Sequence, residues 1–314
     1  FGSSHVGSRQ WAGSLPGSTH LFQMALIAKT SRTSGIRKEI AEKLDELESD
    51  TSLKELDLAG LPLEISEIQR ITAAFDFDSK VTRICLKGCE LGSPEAEQLA
   101  TILQEAPVLR CVCLAENKIG PAGVVKMASA ISKDVNLTEL DLSYNKIGLP
   151  GAQKLARALE KNTKLRTLNV ASCELGSPGC ARLAVALKSK NKTLTALNVQ
   201  SNRAGRFGAE IYAELLRDNT SLQILNFSDN GLEDLGASKL AAALGANKTL
   251  TDLSLMSNGM EFRGARFVAE ALENNTGLRY LNIYGNDIGV QGAQYLTKAL
   301  DKNDTLLELT RMEM

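Results

Sequence analysis

The pattern L-x-x-L-x-L returns along this chain at nearly constant spacing, and a fixed period of that size limits the fold to a stack of like units. Its starts are Leu53, Val81, Leu109, Leu137, Leu165, Leu194, Leu222, Leu250, Leu278 and Leu306. Consecutive starts lie 28 residues apart, with 29 between Leu165 and Leu194. The extra residue falls in KSKNKT (188–193), where a loop is expected between a helix and the next strand; loops tolerate insertion. A chain of 314 residues is long for one core. It is natural for an array whose core grows by adding units.

Residues 137–164, LTELDLSYNKIGLPGAQKLARALEKNTK, are the best-formed unit. LTELDL alternates with period two and predicts a short strand. Asn145 follows, with counterparts at Asn117, Asn202, Asn230, Asn258 and Asn286; Cys89, Cys173 and Leu61 stand in the same place in other units. An Asn side chain in a turn bonds backbone groups that burial would otherwise leave unpaired. A cysteine there is smaller and a weaker donor. Next comes I-G-x-x-G-A, where Gly148 and Gly151 recur as Gly120/Gly123, Gly176/Gly179, Gly205/Gly208 and Gly289/Gly292. That recurrence assigns the glycines to backbone geometry rather than to a phosphate loop. A helix follows, with Leu155, Ala158 and Leu159 on its core face.

Put together, these residues resemble the ribonuclease-inhibitor class of leucine-rich repeat, over residues 51–314. The same class supplies the repeat domains of NOD-like receptors and of Ran GTPase-activating proteins. The resemblance implies an α/β solenoid of about ten 28-residue repeats, a right-handed β-α superhelix or horseshoe. Its parallel sheet is concave and its helices convex. For function it implies a non-catalytic module that binds a protein partner through the concave face and rim, although one fold serves many partners.

The ends differ from the array. Residues 1–20 are rich in Gly and Ser and read as a disordered tail or a cloning remnant. Residues 21–50 read as an N-terminal helical cap, with Ile36, Ile40, Leu44 and Leu47 on one helix face. The repeat domain is 51–314. At its end Leu306 opens one more strand with no helix after it. Either a bare edge strand closes the array or further repeats follow. The second is expected, because an uncovered edge invites aggregation. The chain begins at Phe1 rather than Met, so targeting is not legible.

Composition narrows the chemistry. Net charge is −1, without the basic excess of a nucleic-acid binder. No apolar run reaches the roughly 20 residues of a membrane span. Six cysteines, Cys85, Cys89, Cys111, Cys113, Cys173 and Cys180, lack zinc spacing. As unpaired thiols they fit a reducing, cytoplasmic setting. The histidines are His5 and His20, both ahead of the array, so triad chemistry has no base within it. No catalytic residue, metal, cofactor or small-molecule substrate is expected. Glycosylation sequons at Asn136, Asn191, Asn219, Asn247, Asn274 and Asn303 recur after the helices. There Asn is expected to serve a left-handed C-terminal turn.

Strand alternation places three lanes in the concave groove. The first is Glu55, Arg83, Cys111, Glu139, Thr167, Ala196, Ile224, Asp252, Tyr280 and Glu308. The middle lane is Asp57, Cys85, Cys113, Asp141, Asn169, Asn198, Asn226, Ser254, Asn282 and Thr310. The third is Ala59, Lys87, Ala115, Ser143, Ala171, Gln200, Ser228, Met256, Tyr284 and Met312. Arg83 and Lys87 stand near Glu55 and Asp57, as cross-strand charge pairs. At the other end Asp252, Met256, Tyr280, Asn282, Tyr284 and Met312 converge. Exposed Tyr and Met suit a partner hot spot, and these six are the candidate partner-binding residues. Arg203 and Arg206 mark a lesser candidate on the rim. Two other readings remain. One is a Ran-type GTPase-activating protein, for which Arg83 or Arg110 is available but no acidic tail is present. The other is an actin-capping, tropomodulin-like protein, suggested by residues 191–202 and opposed by the even period.

Overall fold

In the computed structural model the described residues are 18–75, 79–133 and 135–310, with side chains described from residue 34 onward. Met312, the last candidate residue, lies outside them. Among the described residues strands and helices alternate along the chain. Strands β1 to β10 are Glu55–Asp57, Arg83–Cys85, Cys111–Cys113, Glu139–Asp141, Thr167–Asn169, Ala196–Asn198, Ile224–Asn226, Asp252–Ser254, Tyr280–Asn282 and Glu308–Thr310. Helices α1 to α10 are Ser18–Ser49, Ile65–Ala74, Ser93–Glu105, Pro121–Ile131, Gly148–Leu159, Gly176–Ser189, Gly205–Asp218, Glu233–Leu244, Phe262–Leu272 and Gly289–Leu300. The described residues divide into two units between Lys43 and Leu44, within α1. In the second unit Leu44 and Leu47 are buried, while Asp45 and Glu48 each hold Arg70 at 2.8 Å.

All ten strands form one parallel sheet in sequence order. Each return to the sheet is made by a helix, as parallel pairing requires. The register joins equivalent repeat positions, so that Glu139 pairs with Thr167 and Asp141 with Asn169. The predicted lanes are therefore rows of neighbouring side chains. The opposite strand face fills the core. In one coil Leu137, Leu140, Leu142, Ile147, Ala152, Leu155, Ala158 and Leu159 are all buried. Small residues on the helices let consecutive coils approach. At Gly292 a Cβ would stand 2.9 Å from the Ala265 Cβ of the preceding helix. Gly148 has φ +62, a left-handed turn that glycine adopts without strain; in its place in α8 Glu233 takes φ 54.

The expected asparagine ladder is present. Asn202 donates from Nδ2 to the carbonyls of Val170, at 2.7 Å in the preceding coil, and of Val199 and Gln200, both at 3.0 Å. Its Oδ1 accepts from the N–H groups of Cys173 at 3.0 Å and Leu175 at 3.1 Å, again in the preceding coil. Where cysteine replaces Asn, half of this is lost. Cys173 Sγ donates to Leu142 O at 3.1 Å but supplies no amide oxygen. The Ile147 N–H turns instead to Asn145 O at 2.9 Å.

A second ladder corrects the reading of the sequons. Asn162, Asn191, Asn219, Asn247 and Asn275 are buried, and with Asn303 they occupy one repeat position. Each Nδ2 caps a carbonyl near the end of the helix one coil earlier, as Asn247 does Leu216 O of α7 at 2.7 Å. Each Oδ1 accepts from the N–H of the next first leucine, as with Leu250 at 2.8 Å. Helix-end carbonyls need such partners. None of these residues has positive φ, and Asn219 lies at φ −85, ψ 129, so the left-handed turn does not occur there. Asn136 and Asn274 lie off the ladder; Asn275 fills the place beside Asn274.

The extra residue of the 29-residue unit is also placed differently from expectation. Lys188 and Ser189 belong to α6, not to a loop. Asn191 N–H reaches Ala186 O at 3.0 Å, while its counterpart Asn162 N–H reaches Ala158 O at 2.9 Å. The span is one residue wider, a π-type last turn that keeps Asn191 on the ladder.

One core position is strained in polarity. Tyr212 stands where other helices carry Leu155, Leu183 and Leu240, and packs edge-on against Phe227 with centroids 5.1 Å apart. Its hydroxyl is buried with no hydrogen-bond partner. Tyr212→Phe is therefore expected to raise stability by about 1 kcal/mol, read as a higher urea midpoint at unchanged slope.

Candidate partner-binding surface

At the N-terminal end of the groove only the Arg83–Glu55 pair follows the expectation; Glu139 and Glu116 are unforeseen partners, and Asp57 joins no ion pair among the described residues. Arg83 lies 3.6 Å from Glu55 and, across the intervening Cys111 strand, 3.8 Å from Glu139. Lys87 pairs with Glu116 at 3.0 Å, and this hydrogen bond holds its ammonium pKa above the ordinary value. These groups are about half exposed, so the pairs contribute little stability. Asp57 is occupied by the Ala59 N–H at 3.0 Å.

The middle lane is polar and largely self-satisfied. The Oδ1 atoms of Asn169, Asn198, Asn226 and Asn282 accept N–H groups two residues on, at 2.9–3.1 Å. Asn169 also donates to Asp141 at 3.0 Å, and Asn226 to Gln200 at 3.1 Å.

Toward the C-terminal end the groove deepens into a pocket of about 240 Å³. Ile224, Asp252, Tyr280 and Glu308 line it from the first lane, and Asn226, Ser254, Asn282 and Thr310 from the middle lane. Strand register sets Tyr280 directly between Asp252 and Glu308. Tyr280 is 45% exposed and Ile224 47%. The structure thus joins three of the candidates, Asp252, Tyr280 and Asn282. Met256 and Tyr284 sit one lane across and do not line the pocket; Tyr284 is 48% exposed. Ile224 and Glu308 are additions that their lane neighbours Asp252 and Tyr280 could have flagged.

Charge separates the two ends. Beyond Lys87 no Lys or Arg occupies any lane position up to Thr310, whereas Glu139, Asp141, Asp252 and Glu308 do. Asp252 has no ion-pair partner among the described residues and accepts the Thr251 hydroxyl. Arg279, next to Tyr280, spends its guanidinium on Thr305 O at 2.8 Å.

Of the other candidate arginines, Arg110 and Arg206 are engaged locally. Arg110 donates to Pro107 O at 3.0 Å. On the rim Arg203 has φ 56 and Arg206 lies 3.9 Å from Glu233.

The repeat itself is matched by the family model described as "Leucine Rich repeat", at residues 133–156, 161–184, 218–241 and 274–296. Each match begins four residues ahead of a first leucine. These coils are leucine-rich repeats. Among solved structures, the leucine-rich repeat array is similar to LegL7 from Legionella pneumophila, a leucine-rich repeat-containing protein, at 16% identity and TM-score 0.49, covering 83% of this chain and 95% of that one. The tropomodulin C-terminal domain of Caenorhabditis elegans shares 17% identity at TM-score 0.40, over 47% of this chain and 90% of that one. Leiomodin-1 actin-binding site 2 shares 21% at TM-score 0.32, over 56% and 88%. No curated protein sequence matches this chain. Among the described residues no helix is long and apolar enough to cross a membrane.

Proposed function

We propose that this leucine-rich repeat array is a non-catalytic, protein-binding module of the ribonuclease-inhibitor type, which holds its partner at the C-terminal end of the concave sheet. The observation that carries this reading is the pocket around Tyr280, with Asp252 and Glu308 on either side. An exposed aromatic ring between two carboxylates, at the end of the face where no lane position up to Thr310 carries Lys or Arg, suits an arginine or lysine side chain of the partner. Such a contact speeds encounter and weakens with added salt. Residues 21–50 would cap the array, and six free thiols favour a reducing, cytoplasmic setting.

The test is quantitative binding to a partner recovered by affinity purification. Tyr280→Ala/Tyr284→Ala is expected to weaken binding at least tenfold, and Asp252→Asn/Glu308→Gln to flatten its salt dependence. Unchanged affinity in the tyrosine pair would remove the site. Stimulation of GTP hydrolysis by Ran, or cosedimentation with actin, would favour the corresponding alternative.

A further inference from the structure

Three of the six thiols lie on the concave face, away from the pocket. Cys85, Cys111 and Cys113 are partly exposed, whereas Cys89, Cys173 and Cys180 are buried. Cys85 and Cys113 are register partners on adjacent parallel strands. Both occupy the middle lane, so their Cβ atoms leave the sheet on the same side.

Backbone geometry distinguishes the possible pairs. Neighbouring strands lie about 4.8 Å apart, inside the roughly 4.4–6.8 Å range of Cα separations that a disulfide spans. Cys111 and Cys113 are two residues apart on one strand, about 6.6 Å, near the upper limit. The diagonal from Cys85 to Cys111 combines both steps, about 8 Å, and is beyond reach without backbone movement.

We propose that Cys85 and Cys113 form a dithiol modification site on the concave face, which a hydroperoxide oxidises to a disulfide joining the second and third coils. One thiolate attacks the peroxide, breaking the O–O bond; it becomes a sulfenic acid and releases an alcohol or water. The second thiolate attacks that sulfur, forms the S–S bond and expels hydroxide, which leaves as water. Two electrons pass from the two sulfurs to the peroxide.

The surroundings bear on both the rate and the partner. Lys87, two residues beyond Cys85 and paired with Glu116, lies within electrostatic reach of the Cys113 sulfur, which Asp141 also faces; a nearby cation favours thiolate. Burial acts against this and pushes the Cys113 thiol up to about 11, with Cys85 as a hydrogen-bonding neighbour. Cys111, pushed by burial up to about 12, is a poorer competitor. Oxidation is therefore expected to be slow near neutral pH and faster as pH rises.

The experiment uses the full chain, reduced, freed of reductant, treated with hydrogen peroxide, alkylated and digested with trypsin. Trypsin releases Cys85 in ICLK and both Cys111 and Cys113 in CVCLAENK. The expected product is ICLK linked to CVCLAENK, with fragmentation placing the bond at Cys113 and reduction abolishing it. Cys111→Ser should retain the linkage and Cys113→Ser should lose it. Oxidation in urea should instead scatter links over the six cysteines. The proposal is overturned if Cys113→Ser still links the two peptides, if Cys85 is recovered only as a sulfinate or a free thiol, or if urea gives the same single linkage.

Discussion

Asn202→Ala is expected to lower the unfolding free energy by about 4 kcal/mol, well beyond the roughly 1 kcal/mol of an average substitution. The size follows from what the side chain leaves behind. Gln200 O keeps a second donor in the Ser172 N–H at 2.8 Å, and Val199 O keeps Asn230 Nδ2 at 3.0 Å. Val170 O and the N–H groups of Cys173 and Leu175 have no other protein partner to turn to. Three orphaned buried groups at about 1–3 kcal/mol each give the estimate, with some relief if water enters. Cys173→Ala is expected to cost less than about 1 kcal/mol, since it removes one weak S–H donor. The comparison is made by urea unfolding. Amide exchange should show lost protection first at Cys173 and Leu175, because each coil leans on its neighbours. Equal costs for the two variants would mean that packing, not the amide ladder, holds the coils in place.

Much of this was legible because one period governs strand, turn and helix together. The starts at Leu137 and Leu165 fix the register Glu139–Thr167, so the lanes could be written from the sequence alone. The Asn202 ladder was legible because a buried turn has few other ways to satisfy its backbone. The Asn247 ladder was misread, since Asn at a helix end serves a left-handed turn and a cap equally well; its fixed place three residues before each first leucine was the missed signal. Nothing in KSKNKT distinguishes a wider last turn from a longer loop. The candidate surface was legible as a neighbourhood but not as a shape. Which lanes border a hollow depends on how far Tyr280 and Ile224 stand from the sheet. Cys85 and Cys113 were read as unpaired thiols in the middle lane, and their juxtaposition acquires chemical meaning only once the strands are paired.

Raising the pH from 9 to 11 is expected to remove about 7 kcal/mol of stability through three buried thiols alone. Burial pushes Cys89, Cys173 and Cys180 each from the ordinary 9.0 up to about 12. Between those values the unfolded chain has given up these protons and the folded chain still holds them. The unfolded state therefore binds fewer protons, and stability falls as pH rises, by about 1.4 kcal/mol per pH unit for each thiol. Below pH 8 both states keep their protons and the thiols contribute no slope. Since domains of this kind are stable by roughly 5–15 kcal/mol, the array should unfold before its buried thiols titrate in place. Tyr212, whose burial raises its hydroxyl pKa well above 10.0, adds to the loss at the alkaline end. Urea unfolding from pH 8 to 11 with a phosphine reductant measures the slope. Cys180→Ala should remove about one third of the thiol contribution. Cys173→Asn should remove another third while supplying the missing ladder amide, so that its stability exceeds the parent's by a margin that widens with pH. Lysine deprotonation is common to all variants and cancels in the differences. A slope unchanged by both substitutions would assign alkaline unfolding to surface charge instead.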